Sequence, residues 1–206
     1  MTPEIKLKTA EKPFYVHGRV FLASRFEALE HLLEIVPPEK LEHILFIPTA
    51  ANNYPDERKA FLEGYRQWFR THNIPFTEID LAAMQQEELL VALRGAGAIV
   101  VAGGNTQYLL EQMQRTDFAR TIKPCIERGV WYIGVSAGAV VAGPNIEHIV
   151  PIEPAQTDNL LTDYTALALV PSPVVPHADQ PFMQGVLERL RQQGHACIAI
   201  PDPPRI

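Results

Sequence analysis

Trp131-Tyr132-Ile133-Gly134-Val135-Ser136-Ala137-Gly138-Ala139 is the stretch that decides the fold. An apolar run leads into Gly-x-Ser-x-Gly, and small residues able to start a helix follow. This is the pattern of a nucleophile elbow, in which a serine sits on a tight strand-to-helix turn and flanking glycines relieve the crowding. The helix N-terminus beyond it offers unpaired N–H groups and the positive end of a dipole to a developing anion. In that context Ser136 is a candidate nucleophile, and the rest of the chain should supply a base and an oxyanion hole.

On either side of this unit, short apolar runs alternate with amphipathic stretches. Strands are expected at residues 16–23, 43–48, 77–81, 98–102, 130–135, 167–170, 174–176 and 196–200. Helical spacing appears at 25–36, 55–72, 85–94, 106–113, 118–128 and 182–193. Wholly apolar strands that alternate with helices imply an α/β fold, a mainly parallel sheet covered on both faces. In such sheets ligands sit beyond the C-terminal ends of the strands. Three predicted strand ends carry unusual polar chemistry: Gly103-Gly104-Asn105, Gly134-Val135-Ser136 and Pro176-His177.

Bulk properties narrow the function classes. A chain of 206 residues with 47% apolar and 20% charged content suits one compact domain over residues 1–206, with residues 1–12 as a loose polar extension. A net charge of −6 and the lack of a Lys/Arg run argue against nucleic-acid binding. No apolar run approaches the ~20 residues of a membrane span, and residues 1–12 do not resemble a signal peptide, so a cytoplasmic location is expected. Cys125 and Cys197 fit free thiols in a reducing compartment, with a single disulfide as the alternative. No His, Cys, Asp or Glu cluster has metal-ligand spacing, and Gly95-x-Gly97 is no dinucleotide fingerprint. No cofactor is expected.

A serine hydroxyl needs a neighbouring imidazole to take its proton. Of the seven histidines, His177 follows the apolar run Val174-Val175-Pro176 and should emerge at a strand end, which makes it the expected base. The N–H of Ala137 is one oxyanion donor in elbow enzymes, and the Gly103-Gly104 strand end can give the other through Gly104. Asn105 is either a substrate contact or, with Thr106, an N-cap. Glu153, Asp158 and Asp163 read as solvated loop acids, and Asp179 as a cap for the final helix with Pro181 in its first turn.

Taken together, Gly103-Gly104-Asn105-Thr106, the elbow with its preceding strand, and Val175-Pro176-His177 resemble peptidase family S51 over roughly residues 18–202. The resemblance implies a class I glutamine-amidotransferase-like three-layer α/β sandwich, of the flavodoxin-like kind, with serine in place of a cysteine nucleophile. It implies hydrolysis of dipeptides or small amides, with Ser136 as nucleophile, His177 as base, and Gly104 and Ala137 as oxyanion donors. The family's third member is an acid near the C-terminus, and Ile200-Pro201-Asp202-Pro203 matches that segment, so Asp202 would orient His177. The family pattern continues past this acid with a final pair of strands, whereas this sequence stops at Ile206, which fits a naturally short or a trimmed chain.

In the aspartyl dipeptidases of the family, an arginine in the loop after the elbow helix reads the substrate. The matching loop here is Pro144-Asn145-Ile146-Glu147-His148, so Glu147 and His148 are the expected substrate contacts, and a carboxylate there disfavours aspartyl substrates. Two alternatives stay open: a cyanophycinase-like β-aspartyl hydrolase, and a catalytically degenerate member that acts as a binding protein. The expected partner is a small peptide, with a homodimer as an open alternative and neither nucleic acid nor membrane.

Overall fold

The structure is a computed structural model that describes residues 8–9, 12–153 and 161–204. Its strands are β1 (Lys8–Thr9), β2 (Phe14–His17), β3 (Val20–Ala23), β4 (Ile44–Ile47), β5 (Phe76–Glu78), β6 (Ala98–Val101), β7 (Trp131–Val135), β8 (Val174–Val175) and β9 (Ile198–Ala199). Its α-helices are α1 (Leu32–Ile35), α2 (Asp56–Lys59), α3 (Phe61–Thr71), α4 (Gln86–Leu93), α5 (Thr106–Arg115), α6 (Phe118–Glu127), α7 (Ala137–Val140) and α8 (Pro181–Gln192).

Six strands form the main sheet in the order β2-β3-β7-β6-β4-β5, and all but the edge strand β2 run parallel. A second, parallel sheet has the order β1-β9-β8. Alternate residues of each central strand point to opposite faces, as the two-residue period of a strand requires. Leu45, Ile47, Ile99, Val101 and Tyr132 join one apolar cluster with α4, α5, α6 and α8. Ile44, Phe46, Ala98, Val100, Trp131 and Ile133 join the other, with α1 and α3. Burial on both faces is why these strands read as unbroken apolar runs.

The expected strand over residues 16–23 is instead the hairpin β2–β3, because Gly18 takes a φ of +58° in a two-residue turn. Residues 25–36 form a 3-10 turn, Phe26–His31, followed by the short α1. The expected strand at 167–170 does not form. Ala168 has a φ of +48°, and the amides of Leu167, Ala168 and Leu169 donate to the carbonyls of Val141, Gly143 and Ala142. That segment therefore pairs with the turn just beyond α7, residues 141–143, rather than joining a sheet. Lys8–Thr9 pairs with β9, so this part of the expected loose extension is a strand, while residues 1–7 and 10–11 lie outside the described residues. Among the described residues, no helix is long and apolar enough to cross a membrane.

The elbow is built by close backbone contact. A Cβ on Gly138 would lie 2.2 Å from the Val101 carbonyl oxygen and 2.9 Å from its carbon, so α7 can pack on β6 only with glycine there. Gly138→Ala is expected to cost at least about 1–3 kcal/mol, since rigid backbone must shift to admit the methyl group. A lower urea midpoint with an unchanged slope would register it.

Candidate active site

Ser136 follows β7 directly and has φ 52° and ψ −112°, a conformation that L-residues avoid. Such an outlier costs on the order of 1–3 kcal/mol and persists only where the surroundings hold it. Here its amide donates to Ala23 O at 2.9 Å, and its carbonyl accepts from Ala139 and Val140 in α7. The hydroxyl of the fully buried Tyr132 donates to Gly138 O at 2.7 Å and braces the same short helix from below. The sharp turn lifts the Ser136 side chain out of the sheet into two adjoining hollows.

His177 reaches the serine from the end of β8. Its Nε2 lies 3.1 Å from Ser136 Oγ, and its Nδ1 lies 2.6 Å from Asp202 Oδ1. A carboxylate accepts only, so Nδ1 carries the proton, and Nε2 faces the serine hydroxyl with its lone pair. Asp202 lies three residues past β9 and its side chain is 12% exposed. Three separate strand ends thus meet within hydrogen-bond reach, in the order Ser136–His177–Asp202.

The groups that hold this chain together lie partly outside the sequence expectations. Ser24, fully buried at the end of β3, donates its hydroxyl to Ile200 O at 2.7 Å and accepts the His177 amide at 2.9 Å. It ties the histidine backbone to the strand that delivers Asp202. Asp179 does not cap α8 as expected; its Oδ1 accepts the Asp202 amide at 2.7 Å, and Gln180 occupies the N-cap position. The guanidinium of Arg25 lies 3.8 Å from the second oxygen of Asp202. The signal for Ser24 and Arg25 was available, because both follow an apolar strand at its C-terminal end.

The glycine-rich strand end faces the serine. A Cβ on Gly104, whose φ is +149°, would lie 2.2 Å from the Ala50 carbonyl, so only glycine lets this loop pass. Among the described residues, neither the Gly104 nor the Ala137 amide N–H has an acceptor in the protein. Both residues line the hollow that holds Ser136. Asn105 is 2% exposed and its Oδ1 accepts the Tyr108 amide at 2.8 Å, which makes it the N-cap of α5. Of the two roles the sequence offers for Asn105, this is the N-cap one.

Glu153 is not the solvated loop acid the sequence suggests. Its carboxylate accepts from the amides of Thr106 (2.8 Å) and Gln107 (3.2 Å) and from the Thr106 hydroxyl (3.1 Å). Burial raises its carboxyl above the usual range, and these hydrogen bonds oppose the rise. The carboxylate sits on the positive end of α5 and anchors the loop just past Gly104. Asp163 is exposed, as expected, and accepts the Thr165 amide at 2.8 Å; Asp158 lies outside the described residues.

The profile of peptidase family S51 matches residues 18–204. The chain belongs to peptidase family S51. It is 34% identical over 168 residues to an uncharacterized peptidase of Pasteurella multocida (strain Pm70), covering 81% of this chain and 80% of that one. It is 34% identical over 154 residues to a peptidase E of Shewanella amazonensis, covering 72% of this chain and 60% of that one. A 1.5 Å crystal structure of a candidate peptidase E from Listeria monocytogenes EGD-e superposes with a TM-score of 0.77 at 28% identity, covering 88% of each chain. A peptidase structure from an acI-B1 actinobacterium, at 19% identity and a TM-score of 0.64, shares the fold. The S51 chain described here is thus a peptidase with the α/β architecture of its relatives.

Against that family background, the loop after α7 departs from expectation. Glu147 and His148 do not line either hollow beside Ser136; both border a separate hollow of about 500 Å³ formed with Arg189, Gln193 and His195. The physical reason is that the His148 ring is drawn inward, 8% exposed, with Nε2–H donated to Val174 O at 2.9 Å. Burial pushes its pKa down to about 4, only partly opposed by the Val174 bond. The unfolded chain would bind this proton near the ordinary histidine value of 6.5, and the folded one only near 4. Stability should therefore fall as pH drops through that window, by about 2 kcal/mol from this residue at pH 5. Urea midpoints measured at pH 7.5 and pH 5 on wild type and His148→Gln should show a smaller acid loss in the variant.

Proposed function

We propose that this S51 chain is a serine-type peptidase that cleaves dipeptides or other small amides through Ser136, His177 and Asp202. The observation that carries the reading is the unbroken line from Ser136 Oγ to His177 Nε2 (3.1 Å) and from His177 Nδ1 to Asp202 Oδ1 (2.6 Å). The family membership and the peptidase E relatives support the same chemistry.

Ser136 Oγ attacks the scissile carbonyl carbon while its proton passes to His177 Nε2. Asp202 keeps the other ring proton on Nδ1 and stabilises the imidazolium that forms. The carbonyl oxygen becomes an oxyanion, and the amides of Gly104 and Ala137 donate to it at no reorganisation cost. The C–N bond then breaks as His177 returns a proton to the leaving nitrogen. Water, deprotonated by His177, attacks the acyl ester and frees Ser136 with the carboxylic acid product.

A fluorophosphonate probe tests this directly. The wild type should label at Ser136, and labelling should vanish in Ser136→Ala. Label that persists in the variant would sink the assignment.

A further inference from the structure

The cleft divides at Ser136, and its two halves differ in chemistry. On one side a hollow of about 390 Å³ carries the charged groups Arg58 and Glu153. On the other, a hollow of about 250 Å³ is walled by Phe26, Tyr54, Phe61 and Tyr65; Arg25 and Glu27 are the charged side chains that line it, and the Arg58 guanidinium lies 4.1 Å over the Tyr54 ring.

The aromatic wall is rigid because it continues the core. Tyr65 is buried, stacks on the core ring of Phe46 at 5.3 Å, and meets Phe26 at 5.4 Å and Phe61 at 6.4 Å between centroids. Gly64 lets the Phe26 ring lie flat on α3, since a Cβ there would fall 2.6 Å from the ring tip. The hollow is therefore open by construction, with room for a ring or a branched aliphatic group.

Its two charges are already engaged. Arg25 pairs with Glu27 at 3.4 Å and with Asp202 at 3.8 Å. A carboxylate brought into this hollow would lose water and find one cation already shared by two carboxylates. An ammonium would meet that cation as a like charge. A neutral apolar side chain meets neither penalty and gains burial against four rings.

We propose that this hollow receives a neutral aromatic or large aliphatic side chain of the peptide, next to the bond that is cut. The proposal rests on the serine-peptidase reading of Ser136. It makes the enzyme a peptidase for apolar small peptides rather than aspartyl ones.

The test compares kcat/KM for Phe-Ala, Ala-Phe, Ala-Ala, Asp-Ala and Ala-Asp, alongside fluorophosphonate labelling of Ser136. The better of the two phenylalanyl dipeptides should exceed Ala-Ala by about 10- to 100-fold, the scale of a filled apolar pocket. Both aspartyl dipeptides should fall below Ala-Ala. Phe61→Arg, which adds an unpaired cation to the wall, should lower the phenylalanyl rate at least about tenfold and raise the aspartyl one. Gly64→Ala, which pushes the Phe26 ring from its seat, should lower the phenylalanyl-to-alanyl ratio in a fold left otherwise intact. A protein that labels at Ser136 yet prefers aspartyl or alanyl dipeptides overturns the pocket assignment while leaving the nucleophile standing. Variants that label but leave the substrate ratios unmoved overturn it too. Absence of both labelling and cleavage in the wild type overturns the serine-peptidase reading, and this proposal with it.

Discussion

Ser136→Ala and His177→Ala should each lower kcat by about 10⁵- to 10⁶-fold on any dipeptide the wild type cleaves, and the double variant should be no worse than either alone. The two groups act as one device: without the imidazole the hydroxyl keeps its proton, and without the hydroxyl the imidazole has nothing to activate. Their separation of 3.1 Å already permits direct proton transfer. Residual rate above water should remain if the Gly104 and Ala137 amides are the oxyanion donors proposed above, because neither substitution removes them. Thermal unfolding of Ser136→Ala should match wild type, since alanine at φ 52° bears the same backbone strain as serine. Steady-state kinetics on all three variants, with mass spectrometry to exclude contaminating wild type, provide the measurement. A double variant far slower than both singles would show that the residues work independently.

Asp202→Asn should lower kcat by about 10³- to 10⁴-fold and leave KM nearly unchanged. The asparagine can turn its amide nitrogen toward His177 Nδ1, which moves the ring proton to Nε2 and removes the acceptor that faces Ser136. The residue sits 2.6 Å from the ring and never touches Ser136, so the loss should appear in turnover rather than in substrate binding. Fluorophosphonate labelling should slow in parallel, because it uses the same proton acceptor. Kinetics that shift KM with kcat preserved would instead place Asp202 in substrate binding.

Much of the architecture was legible because the strands are short and buried on both faces. Residues 43–48, 98–102 and 130–135 read as buried strands, and the structure narrows them to Ile44–Ile47, Ala98–Val101 and Trp131–Val135. The segment 167–170 misled because an apolar run looks the same whether its amides join a ladder or close a helix end. Its amides went to Val141, Gly143 and Ala142 in the turn after α7, a long-range partner no local window reveals. The same limit applied to Glu147 and His148. Their position after the elbow helix suggested the cleft, but the inward turn of His148 onto Val174 carries the loop to a different hollow.

By itself, the sequence determined the tight strand-to-helix turn that carries Ser136. The spacing of Gly134, Ser136 and Gly138 follows from local sterics, since a Cβ on Gly134 would lie 2.3 Å from the Gly138 carbonyl oxygen four residues on. It also determined the alternation that makes the sheet parallel, and so the edge at which chemistry must gather. Only the tertiary structure decided which distant groups arrive there. Ser24 and Asp202 meet His177, while Arg25 and Asp179 meet Asp202, through hydrogen bonds and an ion pair that depend on sheet order. Sheet order is a global property, fixed when two apolar clusters bury both faces at once, and no stretch of residues read in isolation contains it.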